Sequence, residues 1–191
     1  LLNTILGSLS SGVVVAPSSY ESIATVTVGS GGSASISFTS IPSTYTHLQI
    51  RGIARSTLAG TTPDNVAFRI NGDSGSNYTT HSLRGSNATV TASNFVSLSY
   101  AYLPSTSSAA GSLGSVFAAV VLDLLDYRNT NKTKVFRTLS GFNENNTSGP
   151  SNIQFQSALW NSTSAVTSIE FTNSANFAEY SQFALYGIKG A

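Results

Sequence analysis

The stretch Thr25-Val26-Thr27-Val28-Gly29-Ser30-Gly31-Gly32-Ser33-Ala34-Ser35-Ile36-Ser37-Phe38 decides the fold class. Val26 and Val28 alternate with threonines, and Ala34, Ile36 and Phe38 alternate with serines. A period of two puts apolar side chains on one face and hydroxyls on the other, which is what a half-buried strand requires. Gly29-Ser30-Gly31-Gly32 between the two runs reads as a hairpin connection. The same signals continue outward along the chain. Ile41-Pro42 marks a turn, Leu48, Ile50 and Ile53 begin a third strand, and Val66, Phe68 and Ile70 form another that stops at Asn71-Gly72-Asp73. Further runs centre on Leu83, Val96-Leu98-Tyr100-Tyr102, Val135-Phe136, Ile153-Phe155-Leu159, Ile169-Phe171 and Phe183-Leu185. Tyr100 and Tyr102 share the parity of Val96 and Leu98, which points to burial of all four.

One segment admits two readings. Val116–Tyr127 fits a helix, with Asp123 and Asp126 on one face and Val120, Val121, Leu124 and Leu125 on another. It also fits a central strand that is apolar on both faces. No capping box precedes it, and Asn129-Thr130-Asn131-Lys132 reads as a tight turn into Lys134-Val135-Phe136-Arg137, so strand–turn–strand is the preferred reading. The expected architecture is all-β: about nine or ten short strands in an antiparallel, jelly-roll-like β-sandwich.

The first nineteen positions differ from the rest. Leu2, Ile5, Leu6 and Leu9 fall at helical spacing, and Val13-Val14-Val15 follows as an extended apolar run before Pro17 and a Ser-Ser linker. A helix of about ten residues is marginal alone in water, so such a stripe needs a partner surface. Residues 1–19 are therefore expected to be an attachment arm, and residues 20–191 the sandwich domain. The arm's candidate assembly contacts are Leu2, Ile5, Leu6, Leu9, Val13, Val14 and Val15. Folding back on its own domain is the competing reading. Met is absent even at position 1, which implies that something precedes Leu1, and no positive segment there reads as a signal peptide.

The 191 residues suit one domain with a sizeable core. Only 9% are charged and the net charge is +1, so no field steers phosphate, and neither nucleic acid nor membrane insertion is expected as a partner. Near-zero charge favours association instead. Cysteine is absent, which removes disulfide and thiolate chemistry.

Candidate chemistry is sparse. Gly72-Asp73-Ser74-Gly75 copies the nucleophile phrase of chymotrypsin-like proteases, but His47 lacks the surrounding phrase a base would have there, and a turn explains these residues. Asn71, Asp73 and Asn77 imitate a calcium loop whose position 12 would be Ser82, which cannot supply a bidentate carboxylate. His47 and His81 have no ligand-spaced partner. Within a strand Asp123 and Asp126 would point to opposite faces, which makes them a poor glycosidase pair. Asn-x-Ser/Thr triplets at Asn77, Asn87, Asn131, Asn145, Asn146 and Asn161 are expected by chance in so Ser/Thr-rich a chain. No enzyme activity, metal or other cofactor is expected. Aromatic residues are the remaining sign of binding, most of them as core or interface. Trp160, at a strand end beside Asn161, is expected to be exposed, and with Tyr78 and Tyr180 it is the candidate glycan contact.

Four phrases carry a resemblance: Ile41-Pro42-Ser43-Thr44-Tyr45-Thr46-His47-Leu48-Gln49-Ile50-Arg51, Asn71-Gly72-Asp73-Ser74-Gly75-Ser76-Asn77-Tyr78, Leu125-Asp126-Tyr127-Arg128-Asn129-Thr130-Asn131-Lys132 and Phe183-Ala184-Leu185-Tyr186-Gly187-Ile188-Lys189-Gly190. Their order and wording resemble a family of small structural proteins of tailed bacteriophages, tail-fibre-like or capsid-decoration-like, especially from aquatic phages. The resemblance spans residues 20 to 191. It implies a non-enzymatic protein on the virion surface, assembled in the bacterial host's cytoplasm and joined to capsid, tail or baseplate proteins. By analogy with phage fibres it also implies a homo-oligomer, a trimer. A receptor-recognising fibre tip that holds host surface glycans is the alternative.

Overall fold

The computed structural model describes residues 18–59, 64–86, 88–107, 115–143 and 151–190. The described residues form twelve strands. They are β1 (Tyr20–Thr27), β2 (Ser33–Phe38), β3 (His47–Ala54), β4 (Asp64–Ile70), β5 (Tyr78–Ser86), β6 (Thr89–Leu98), β7 (Ala101–Ser107), β8 (Ala118–Leu124), β9 (Lys134–Phe142), β10 (Asn152–Trp160), β11 (Ile169–Phe177) and β12 (Gln182–Ile188). Every pairing is antiparallel. An eight-stranded sheet runs β1-β12-β3-β8-β9-β10-β5-β6, and a four-stranded sheet runs β2-β11-β4-β7. The two pack as a sandwich, and the strand connections are compatible with a jelly roll. Val116–Tyr127 follows the strand–turn–strand reading, as β8 and the turn into β9.

The core is aromatic. Phe171 of β11 stacks on Phe183 of β12 at 4.8 Å between ring centroids and lies 5.9 Å from Phe68 of β4. Phe68 meets Phe136 of β9 edge-on at 5.4 Å. These contacts tie one sheet to the other, and each ring removes a large apolar area from water.

Three sequence expectations are corrected. The segment Gly29–Gly32 is no hairpin, because β1 pairs with β12 and β2 with β11 in the other sheet. Left-handed φ at Gly31 and Gly32 turns the chain from one sheet to the other, and a Cβ at Gly32 would sit 2.6 Å from the Phe177 carbonyl. Most consecutive described strands lie in different sheets; β5 and β6, β8 and β9, and β9 and β10 are neighbours in one sheet. The run Val96-Leu98-Tyr100-Tyr102 is also not one buried strand. Ser97 takes φ 56°, β6 ends in one sheet and β7 begins in the other, and Val96 is exposed.

The third correction concerns β10. Its apolar residues Ile153 and Phe155 face outward, and Gln154 and Gln156 face in. Parity is shared along a strand. Ala158 and Trp160 are buried at the core end of β10, and that fixes which residues turn inward over its whole length.

Candidate functional site

All four phrases that carry the resemblance converge on one end of the sandwich. There the Tyr127 hydroxyl donates to the Pro42 carbonyl, and the Arg128 guanidinium donates to Ser43 O at 3.0 Å. Asp126 N donates to His47 Nδ1 at 3.0 Å, and Gly190 N donates to Thr46 Oγ1 at 3.0 Å. The same Nδ1 lies 3.8 Å from the Asp126 carboxylate. Asp126 lies in the turn with φ 50°, not in a strand with Asp123, and the Lys132 ammonium 2.7 Å away holds its carboxyl below the usual range. The loop 161–168 joins the remaining phrase to these. Asn71 Oδ1 accepts from Thr167 N at 2.8 Å, Val166 N donates to Tyr127 O at 2.9 Å, and Ile41 N donates to Thr167 O at 3.0 Å.

Asp73 is the node of the phrase 71–78. Its carboxylate accepts from Trp160 Nε1 at 2.7 Å, Asn77 Nδ2 at 2.9 Å and Gly75 N at 2.8 Å, and these bonds, the indole's foremost, lower its pKa. The phrase is therefore a turn built by its own Asn and Asp side chains. Trp160 is 3% exposed, against the expected exposure, because the Asp73 carboxylate draws its indole nitrogen inward. Tyr78, directly opposite it on β5, is fully buried as well, and burial pushes its hydroxyl up to about 12. Neither ring is available to stack on a sugar. Tyr180 is exposed, but it lies in the turn before β12, at the other end of the molecule. The three residues share no surface. Leu2, Ile5, Leu6, Leu9, Val13, Val14 and Val15 lie outside the described residues. Among the described residues no group of three His, Asp or Glu side chains is placed to hold a metal ion.

The same end contains a fully buried cation. Lys134 Nζ donates to the carbonyls of Asn129 at 2.6 Å, Lys132 at 2.8 Å and Thr163 at 3.1 Å. Burial lowers its pKa. It clamps the β8–β9 turn to the loop after β10.

Two surfaces of the large sheet stand out as sites. The first is its outer face. Cross-strand register aligns Val121, Leu139, Phe155 and Leu83 in one row across β8, β9, β10 and β5. A second row runs Ile53, Ala119, Gly141, Ile153, Gly85 and Val90. Gly141 and Gly85 flank Ile153 without side chains, leaving a depression of about 680 Å³ lined by Ala119, Val121, Leu139 and Ile153. Phe155 is 52% exposed and Ile153 60%. A polar row, Asp123, Arg137, Ser157 and His81, borders this apolar area. Toward β1 the face changes character. There Gln49 Nε2 donates to Asp123 at 2.8 Å, while Gln49 Oε1 accepts from the Tyr20 hydroxyl at 2.7 Å and Arg51 Nε at 2.9 Å. Polar groups on that half are satisfied, and the apolar half is uncovered.

The second surface is the inner face beyond the edge of the small sheet. Strand β7 ends that sheet and lies over β9 and β10, so β5 and β6 project past it. A groove of about 310 Å³ opens beneath this overhang, lined by Thr80, Ser82, Arg84, Ser93, Phe95 and Gln154 among others. Sequence reading missed both surfaces. The first is signalled by apolar residues at both parities of β8, the second by glutamines sharing the parity of Trp160.

Comparison with known proteins finds no matching family model, no matching curated protein and no matching solved structure.

Proposed function

We propose that the chain is a non-enzymatic structural protein of a tailed-bacteriophage virion. It is a β-sandwich displayed on the particle surface, held in a homo-oligomer by the outer face of its large sheet. Residues 1–19 attach it to capsid, tail or baseplate proteins. The observation that carries this reading is the pair of apolar rows across β8, β9, β10, β5 and β6. Five strands at about 4.8 Å spacing and two rows, each about 6.8 Å of strand, give an apolar face of roughly 330 Å². A specific interface buries roughly 800 Å² per partner, so these rows supply the apolar core of an interface between copies of the chain. The bordering Asp123 and Arg137 supply opposite charges for the rim, where polar residues belong. Three copies, each contributing this face around a shared axis, is the proposed closed form.

The four phrases support the same reading from another direction. They build one end of the fold by turns, caps and buried hydrogen bonds, which is a structural use of sequence. Immunogold labelling of intact particles of the encoding phage, with antibody against the domain, tests the proposal. Regular labelling of the particle is expected; antigen found in the lysate but never on particles contradicts it.

A further inference from the structure

We infer that the groove beneath the β5–β6 overhang binds an acidic saccharide. The site lies on the opposite face of the large sheet from the proposed assembly surface, so it stays open in the oligomer and does not depend on that reading.

The inner face of the sheet changes chemistry strand by strand. One register row runs Ile50, Leu122, Thr138, Gln156, Ser82 and Ser93. The next runs Val120, Ser140, Gln154, Arg84 and Thr91. Both rows are apolar as far as β8 and become hydroxyl, amide and guanidinium from β9 outward, beneath β7 and past it. An edge that only needed solubility would place charges there. Neutral hydrogen-bonding groups with one cation make up this wall instead.

One of these groups has an unmade bond. Arg84 Nε is buried and has no hydrogen-bond partner, and among the described residues no carboxylate pairs with the guanidinium. Arg84 lines the groove beside Gln154, which is 7% exposed. A buried donor left unpaired is costly, so Arg84 Nε is poised to donate to an acceptor from outside the chain. Gln156 is different: its Nε2 donates to Tyr102 O at 2.6 Å and fixes the edge of β7 against the groove floor. Phe95, directly opposite Thr80 and 52% exposed, offers a flat apolar face on the outer lip.

The ligand that fits this set has many hydroxyls, one apolar ring face and one anionic group. Hydroxyls suit Gln154, Ser82, Ser93 and Thr80, a sugar ring's CH face suits Phe95, and a ring carboxylate suits Arg84 through paired N–H donors. A single cation is too little for a nucleic-acid strand, whose binding requires several phosphate contacts. The groove's volume is at the lower end for ligand sites, matching a short stretch of glycan.

The test is calorimetric titration of the full chain with short oligomers of galacturonate, glucuronate and mannuronate. The uncharged oligosaccharides of the same linkage and a short polyglutamate serve as comparators. At least one acidic oligosaccharide should bind, with its uncharged counterpart about 10-fold weaker. Arg84→Gln and Phe95→Ala should each weaken binding about 10-fold. Phe95→Ala should melt like the parent, because its ring is on an exposed edge strand, so it tests the site even if Arg84→Gln folds poorly. Absence of binding by all three acidic sugars overturns the inference. Equal binding of polyglutamate, or full affinity in Phe95→Ala, overturns it too.

Discussion

Trp160 and Asp73 are separated by 87 positions, and no feature local to either one announces the other. Seen in the sequence, the indole sits at the end of a strand beside Asn161 and has the setting of an exposed ring. In the fold, a carboxylate from the β4–β5 turn accepts its N–H at 2.7 Å, so the ring can be buried with its polar atom satisfied. Tyr78 is placed the same way: its hydroxyl accepts from Ile70 N at 3.0 Å and donates to the Asp73 carbonyl at 3.1 Å. The two rings, facing each other across β5 and β10, close one end of the core. Trp160→Ala should therefore cost about 3–5 kcal/mol in chemical unfolding, the usual price of emptying an aromatic site. A loss under about 1 kcal/mol would show that the ring is not part of the core.

At the scale of elements, alternation in the sequence is sufficient to find β2, β4 and β11, in which buried residues alternate with more exposed ones, whereas β12 is buried on both faces. Alternation does not say which sheet a strand joins. A Gly-Ser connection serves a hairpin and an arch equally well, and only the pairing of β1 with β12 and of β2 with β11 makes Gly29–Gly32 an arch. Strand β6 was half hidden for another reason: it projects past the small sheet, both of its faces are wet, and no apolar stripe marks it. In β10 the stripe exists but points out, since Trp160 decides the parity and Ile153 and Phe155 follow from it. The outer apolar rows and the inner groove are products of register between strands distant in sequence, and register is not written in any single strand.

The turn after β8 shows what holds these elements at their ends. Lys134 begins β9, yet its ammonium is occupied by three carbonyls from two different loops. Lys134→Met keeps the length and apolar stem but leaves those carbonyls without a donor. Hydrogen bonds to charged groups contribute about 1.5–3 kcal/mol, so the variant should lose stability of that order in urea unfolding. Its β8–β9 turn should also exchange amide hydrogens faster. Unchanged stability and unchanged exchange would mean that the clamp is ornamental.

For the whole molecule, the two faces of the large sheet divide the work. The inner face holds the aromatic core under the small sheet and becomes polar toward the β5–β6 edge. The outer face is hydrogen-bonded to itself near β1 and bare over β8, β9, β10, β5 and β6. With 9% charged residues and a net charge of +1, the chain has little electrostatic means of keeping such faces apart. Assembly through that face is the central claim. It is tested most directly by sedimentation velocity of the full chain at micromolar concentration beside Phe155→Lys, whose substituted side chain projects from the middle of the apolar row. The parent should sediment as a closed oligomer, a trimer, and the variant as a folded monomer. A parent that is monomeric throughout, or a variant that assembles as the parent does, would contradict it.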